Sequence, residues 1–244
     1  MNQPADLTSD TFFNGSISVK QPPDGYRFSI DAVILGNLAA VQADDRVLDL
    51  GCGCGVIPLI LGYRNPGIGE VFGVEIQAEL AGIARLNASE NHMENQIHIL
   101  HKDMKAVVPE DTGGTMDAVV CNPPHFARHS GRINPDSQRA MARHEIAVAL
   151  ADVTAAAARM LAPAGLFTVI YPCERLVDLV SAMRAAGIEP KRLRMIHPRP
   201  GIEAKRVLAV GIKGKYPGLK IDPPLFIRND ADHYSPELQT MFGP

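Results

Sequence analysis

The chain has no apolar run approaching the roughly 18 residues a membrane-crossing helix needs, so no membrane span is expected. Its first stretch, Met1–Phe13, lacks the basic and apolar regions of a secretory signal peptide. Cysteine is scarce. Cys52, Cys54, Cys121 and Cys173 form neither a CxxC pair nor a disulfide-like framework. Cys52 and Cys54, one residue apart among glycines, read as small packing residues, and no metal site is expected. There is no internal repeat and no low-complexity tract, which favours a single domain over residues 1–244. Together these absences predict a soluble, reduced, cytoplasmic protein.

What is present suits a packed globular domain. The chain is 46% hydrophobic and 21% charged, ample for a core with a solvated surface. The net charge of −3 conceals an asymmetry. Between residues 184 and 220 there are ten Lys and Arg against Glu189 and Glu203, a net of +8 that leaves −11 for the rest of the chain. A local basic face is the electrostatic footprint of a nucleic-acid binder. A solvated surface with no partner has the same composition.

Residues 1–11 read as a disordered leader, and 12–45 as an N-terminal hairpin and helix. Asn14-Gly15 supplies the turn signal, and Ser29 the cap of a helix running through Leu38. Residues 46–213 then alternate strand and helix. The strands are expected at Arg46–Leu50, Glu70–Glu75, Gln96–Leu100, Met116–Cys121, Leu166–Tyr171, Arg192–His197 and Arg206–Ile212. Helices are expected at Val56–Tyr63, Gln77–Asn91, Ile146–Leu161 and Glu174–Ala186. Residues 214–244 form a C-terminal extension. The alternation predicts an α/β fold, an open and mostly parallel seven-stranded sheet with helices on both faces.

The chemistry-bearing residues sit after those strands. Asp49-Leu50-Gly51-Cys52-Gly53-Cys54-Gly55 joins the first strand to the first helix. Ligands of such sheets bind beyond the carboxyl ends of the strands, and glycines let backbone approach a ligand closely. The spacing is GxGxG, not the GxGxxG of dinucleotide binders. Glu75 ends the second strand, where it can accept both hydroxyls of a ribose, and Asp103 follows the third, where it can accept from an adenine amino group. The turn and two acids together predict a nucleoside cofactor.

The fourth strand runs into Asn122-Pro123-Pro124-His125. Neither proline has an N–H to donate, and each keeps its predecessor out of helical geometry. The result is a stiff turn with free carbonyls, one side-chain amide and one flat ring. Such a turn can accept both hydrogens of a planar –NH2 group and stack on the ring that carries it. Arg128, Arg132, Arg139 and Arg143 follow, and suit a phosphate backbone. Arg139 and Arg143, four residues apart, also fit a solvated helix face.

VLDLGCGCG, GVEIQ and the NPPH turn resemble the class I S-adenosylmethionine-dependent methyltransferases, in the branch with an Asn-Pro-Pro-aromatic motif. The resemblance implies a Rossmann-like fold, S-adenosyl-L-methionine as cofactor, and a cofactor site of Asp49, Gly51, Gly53, Gly55, Glu75, Asp103 and Asn122. It implies Asn122, Pro123, Pro124 and His125 as the catalytic turn. Gly25–Ala32, Gln138–Glu145 and the close of the chain from Lys205-Arg206-Val207-Leu208 are similar to the bacterial tRNA(Val) adenine N6-methyltransferases, which modify adenine 37 beside the anticodon. The likeness runs from about Gln21 to the end and implies tRNA as partner, reached through the four arginines and the basic segment 184–220. His125 departs from the family's usual tyrosine. It keeps a flat face, with less stacking area and a proton that titrates near neutrality.

Two other readings remain open. The same motif serves enzymes that methylate a glutamine amide in translation release factors, although only about 45 residues precede the first strand here. A non-catalytic RNA-binding module with the methyltransferase fold would carry the same glycine turn. An NAD oxidoreductase fits less well, because the glycine spacing is wrong.

Overall fold

The computed structural model describes residues 7–24, 27–123 and 150–243. The chain opens with a hairpin of β1 (Thr8–Phe12) and β2 (Ile17–Gln21). The first strand therefore begins inside the stretch read as a disordered leader. Its loop is wider than the Asn-Gly signal suggests: Phe13, Asn14 and Gly15 all have positive φ in a single 3-10 turn. The buried Phe13 ring is the reason. It stacks on Tyr63 with centroids 4.3 Å apart and lies under the Arg64 guanidinium at 4.5 Å, which anchors the hairpin to the body of the protein.

Helix α1 (Ile30–Leu38) follows, with Ser29 at its N-cap. The Ser29 side chain makes no capping bond there, and only its carbonyl receives the Ala32 amide. The sheet then builds in order: β3 (Val47–Leu50), α2 (Val56–Arg64), β4 (Val71–Glu75), α3 (Ala78–Glu90), β5 (Ile97–His101) and β6 (Met116–Cys121). The described chain resumes with α4 (Leu150–Met160), β7 (Leu161–Pro172), α5 (Leu176–Ala185), β8 (Ile188–His197) and β9 (Arg206–Lys213). The first four residues of the helix expected from Ile146 lie outside the described residues.

The strand order is β5-β4-β3-β6-β7-β9-β8, and only β9 runs antiparallel to its neighbours. The expected seven strands are all present. Two short ones, β10 (Lys220–Ile221) and β11 (Leu225–Phe226), pair in parallel with the outer edge of β8 and bring the sheet to nine. Strands of two residues in a polar stretch carry too little periodicity to be read from sequence. Helix α6 (Pro236–Phe242) closes the described chain, capped by the Ser235 side chain on the Leu238 amide.

Each face of the sheet has its own core. One contains α1, α2, the inner face of α3 and the hairpin, with Val33, Ile34, Leu59, Ile60 and Val71 fully or almost fully buried. The other packs α4 and α5 on Leu48, Leu50, Val119, Phe167 and Val169. Because both faces are covered, β3 and β6 read as continuous apolar runs rather than alternating ones. Asp49 is the exception inside β3.

Candidate functional site

The site lies where β3 and β6 end side by side. Leu50 pairs with Cys121, so the residues that follow them, Gly51 and Asn122, leave adjacent strands at the same level. Adjacent strands lie about 4.8 Å apart, which brings the glycine turn and the start of the Asn-Pro-Pro turn together. Pro123 is buried and Asn122 is partly exposed. Pro124, His125, Arg128, Arg132, Arg139 and Arg143 lie outside the described residues.

The glycine turn is pinned from three sides. The Gly51 and Cys52 amides both donate to the Val74 carbonyl, at 2.8 and 3.0 Å. The Gly53 amide donates to Glu75 Oε2 at 2.9 Å. Asn87 Nδ2 donates to the Cys54 carbonyl at 2.8 Å. Gly51, Gly53 and Gly55 all have positive φ. At Gly51 this alone calls for glycine, since an added Cβ would meet only the Met104 methyl at 3.5 Å. At Gly73, in the middle of β4, the demand is steric. A Cβ there would fall 2.7 Å from Cys52 Sγ and 2.8 Å from Ile99 Cδ1. Cys52 is thus a packing residue, as its spacing implies. All four cysteines are free thiols, and no cluster of metal-ligating side chains occurs among the described residues. Burial pushes the Cys54 thiol up to about 12 and raises Cys52 and Cys121 as well, so none is a ready nucleophile.

Two acids face this turn in opposite circumstances. Glu75, 6% exposed, has a partner on each oxygen: Oε2 takes the Gly53 amide and Oε1 the Gln77 amide, at 2.9 Å each. Burial raises its pKa, and these amides oppose the rise. Asp49 is fully buried, and neither of its carboxylate oxygens has a hydrogen-bond partner among the described residues. Burial first, and then the charge of Glu75, lift its carboxyl well above the ordinary carboxylate range. A buried carboxylate without partners is costly. A cationic or donor group of a ligand is one means of completing such a carboxylate. Asp103 stands at the exit of β5, its Oδ1 accepting the Lys105 amide at 2.9 Å and its other oxygen 3.8 Å from Lys105 Nζ.

Sequence reasoning missed the residues that hold the hairpin over the site. Asn87 and Asn91, one turn apart on α3, serve the open edge of β2. Asn87 exchanges two bonds with the Lys20 backbone at 2.8 Å, and Asn91 does the same with Ser18 at 2.9 and 2.7 Å. The signal was the i, i+4 pair of asparagines in an otherwise ordinary helix. Gln21, fully buried, accepts the Phe28 amide and donates to Asp10, which also pairs with Arg27 at 2.9 Å.

The basic segment 184–220 does not form one face. Strand β8 runs toward the site and β9 away from it. Arg184, Lys213 and Lys215 therefore lie at the far end of the sheet, and Arg199, Lys205 and Arg206 at the site end. Five of the ten are paired with carboxylates: Arg184 with Glu189, Arg192 with Asp222, Arg194 with Glu237, Lys205 with Glu203 and Arg206 with Asp31. Lys191 and Lys213 donate to carbonyls. Composition counted charges along a strand pair whose two ends are a sheet's length apart.

A central sheet of order β5-β4-β3-β6-β7-β9-β8, with a glycine turn and two strand-end acids, defines the class I methyltransferase fold. Residues 31–173 match the family model described as methyltransferase small domain, more than half of the chain, and the chain belongs to that family. A relative from Porphyromonas gingivalis is 31% identical over 249 aligned positions, covering 98% of this chain and 95% of its own. One from Phocaeicola vulgatus is 32% identical over 178 residues, 73% of each chain. Both are described as tRNA1(Val) (adenine(37)-N6)-methyltransferase. Among solved structures, one described as a predicted O-methyltransferase from Agrobacterium tumefaciens superimposes with a TM-score of 0.69 at 22% identity, over 86% of this chain and 94% of that one. The protein is a methyltransferase, and its methyl donor is S-adenosylmethionine. The orphaned carboxylate of Asp49 beside the glycine turn fits that donor. No helix among the described residues is long and apolar enough to cross a membrane.

Proposed function

We propose that the protein methylates the N6 amine of an adenine in tRNA, the base at position 37 of tRNA(Val), within the cytoplasm. The observation that carries this reading is the placement of the Asn122–Pro123 turn directly beside the glycine turn, in a chain whose relatives bear that activity in their names. When bound, the cofactor supplies an electrophilic methyl group. Asp49 receives its α-ammonium, Glu75 its ribose hydroxyls through lone pairs left over from the Gly53 and Gln77 amides, and Asp103 its adenine amino group. Gly51, Gly53 and Gly55 keep side chains out of the way.

The remaining residues handle the target base. An exocyclic amine is a poor nucleophile because its lone pair is delocalised into the purine. Asn122 Oδ1 and the Pro123 carbonyl accept its two hydrogens, favour a more tetrahedral nitrogen and fix its line of attack. Positioning of this kind is a large part of the rate enhancement in group transfer. The same oxygens stabilise the positive charge that develops on nitrogen. Pro124 stiffens the turn, and His125 offers a face for stacking, where base–aromatic contact is worth about 1–3 kcal/mol. The adenine leaves its stack to reach the turn, which costs a few kcal/mol and less in a loop. Arg128, Arg132, Arg139 and Arg143 supply phosphate contacts beside it.

The test is methylation of total bacterial tRNA with labelled S-adenosylmethionine, alongside a translation release factor, followed by digestion to nucleosides. Label in N6-methyladenosine is expected. Label only in the protein would move the enzyme to glutamine methylation.

A further inference from the structure

Two stretches of the sequence that stand out by resemblance, around Ile30–Ala32 and Lys205–Leu208, lie far apart in the chain. One ion pair joins them. Arg206 Nε donates to Asp31 Oδ2 at 2.8 Å, across 175 residues. Asp31 sits in the first turn of α1 and is 6% exposed. Arg206 opens β9, and its Nη1 donates to the Lys205 carbonyl at 3.1 Å. The guanidinium keeps unused donors: Nη2 makes no hydrogen bond among the described residues, and the side chain is 32% exposed.

The topology places Arg206 itself at the end of the sheet where the site lies. Because β9 is antiparallel, its first residue stands at the end of the sheet where β3, β6 and β7 finish. Arg206 pairs with Pro172 of β7, three residues beyond Val169, which pairs with Cys121. Relative to Asn122 it is two strands across, about 10 Å, and two residues further up, ~7 Å, from ordinary sheet spacings. The gap is one that a nucleotide attached to a base at Asn122 can bridge.

We propose that Arg206 anchors a phosphate of the RNA next to the target adenine, and that Asp31 is the positioning residue that aims it. The proposal rests on the RNA reading above. A guanidinium is a planar fork that can give one edge to a carboxylate and another to a phosphate oxygen. Asp31 occupies Nε and holds the side chain in one rotamer, so little entropy is lost when the phosphate binds. An ion pair serving only the fold would gain nothing from leaving the outer edge of its cation open. Among the described residues of this corner, Lys205 pairs with Glu203, Arg194 gives both Nη atoms to Glu237, and Arg175 holds Asp178 and lies over the Tyr171 ring. Arg199 has no ion pair among the described residues, and lies further out, past the end of β8.

The experiment measures tRNA binding to the protein loaded with S-adenosylhomocysteine across a salt series. It compares wild type, Arg206→Lys, and the double variant Asp31→Asn/Arg206→Gln, which removes both charges of this pair together. Every phosphate that the protein ceases to neutralise lowers the slope of log K against log salt by about 0.7–0.9. The double variant should lose one such unit and bind tRNA about 10-fold or more weakly, the scale of a charge-assisted bond. Its affinity for S-adenosylhomocysteine should be unchanged. Arg206→Lys should keep the slope and lose part of the affinity. A double variant with reduced thermal stability but an unchanged slope overturns the anchor. If wild type shows no salt-dependent tRNA binding, the RNA reading itself falls and takes the anchor with it.

Discussion

The Glu75 carboxylate accepts the backbone N–H of Gly53 at 2.9 Å, so the acid at the end of β4 shapes the turn at the end of β3. Its other oxygen takes the Gln77 amide. An alanine at this position leaves two amides without acceptors, one of them buried. Glu75→Ala should therefore cost about 1–3 kcal/mol of stability and weaken S-adenosylhomocysteine binding by at least ~10-fold. Denaturant titration and calorimetry read the two effects separately. Loss of affinity with full stability would mean that the turn does not depend on Glu75.

Asp49 makes the opposite prediction for stability. Burial, then Glu75, raises its pKa in the folded state. A carboxyl whose pKa is raised by folding stabilises the fold least where it must ionise. Its penalty is absent below the unfolded value of about 3.9 and grows as pH rises from there to the folded pKa. Asp49→Asn should raise the melting temperature of the ligand-free protein, more at pH 8 than at pH 5. The expected gain is roughly 2–4 °C per kcal/mol relieved. On the proposed cofactor site the same change removes the partner for the ammonium, so S-adenosylhomocysteine should stabilise the variant far less than wild type. Thermal scans at both pH values, with and without ligand, check this. A variant less stable than wild type at pH 8 would contradict it.

The fold was legible because its signals are local. VLDL, VFGVE and MDAVVC are apolar runs bounded by turn residues, and helices with buried faces separate them. The positions of Gly51, Glu75 and Asn122 at or just past strand ends, with Asp49 one residue before the end of β3, were legible from the same runs. What escaped was long-range. Nothing near Arg206 in sequence announces Asp31, and the net charge of 184–220 says nothing about which end of a strand each side chain occupies. Gly73 lies inside a strand, and only the folded chain shows it to be the hollow that seats Cys52.

Asn87 was equally silent, and it yields a third prediction. Its amide joins Cys54 in the glycine turn to Lys20 in the hairpin. Asn87→Ala leaves the Cys54 carbonyl and both Lys20 backbone groups short of a partner, at about 1–3 kcal/mol for a buried group so stranded. Hydrogen exchange should speed up at the Lys20 amide and across β2 before it does in β3 or β6. Unchanged protection in β2 would show that Asn91 and the packing of Phe13 hold the hairpin without Asn87.

Presentation of a tRNA adenine amine by Asn122 is the step on which the proposed activity depends. The most direct measurement is single-turnover transfer from labelled S-adenosylmethionine to two tRNA(Val) transcripts, one with adenine and one with guanine at position 37. Wild type and Asn122→Ala are compared, and bound S-adenosylhomocysteine is measured in parallel. N6-methyladenosine should appear in the adenine transcript with wild type alone. Transfer by Asn122→Ala should be ~100- to 1000-fold slower with little change in cofactor affinity, the size of effect seen when a transition-state hydrogen-bonding group is removed. Comparable transfer by Asn122→Ala, or equal labelling of the guanine transcript, would contradict the proposed role.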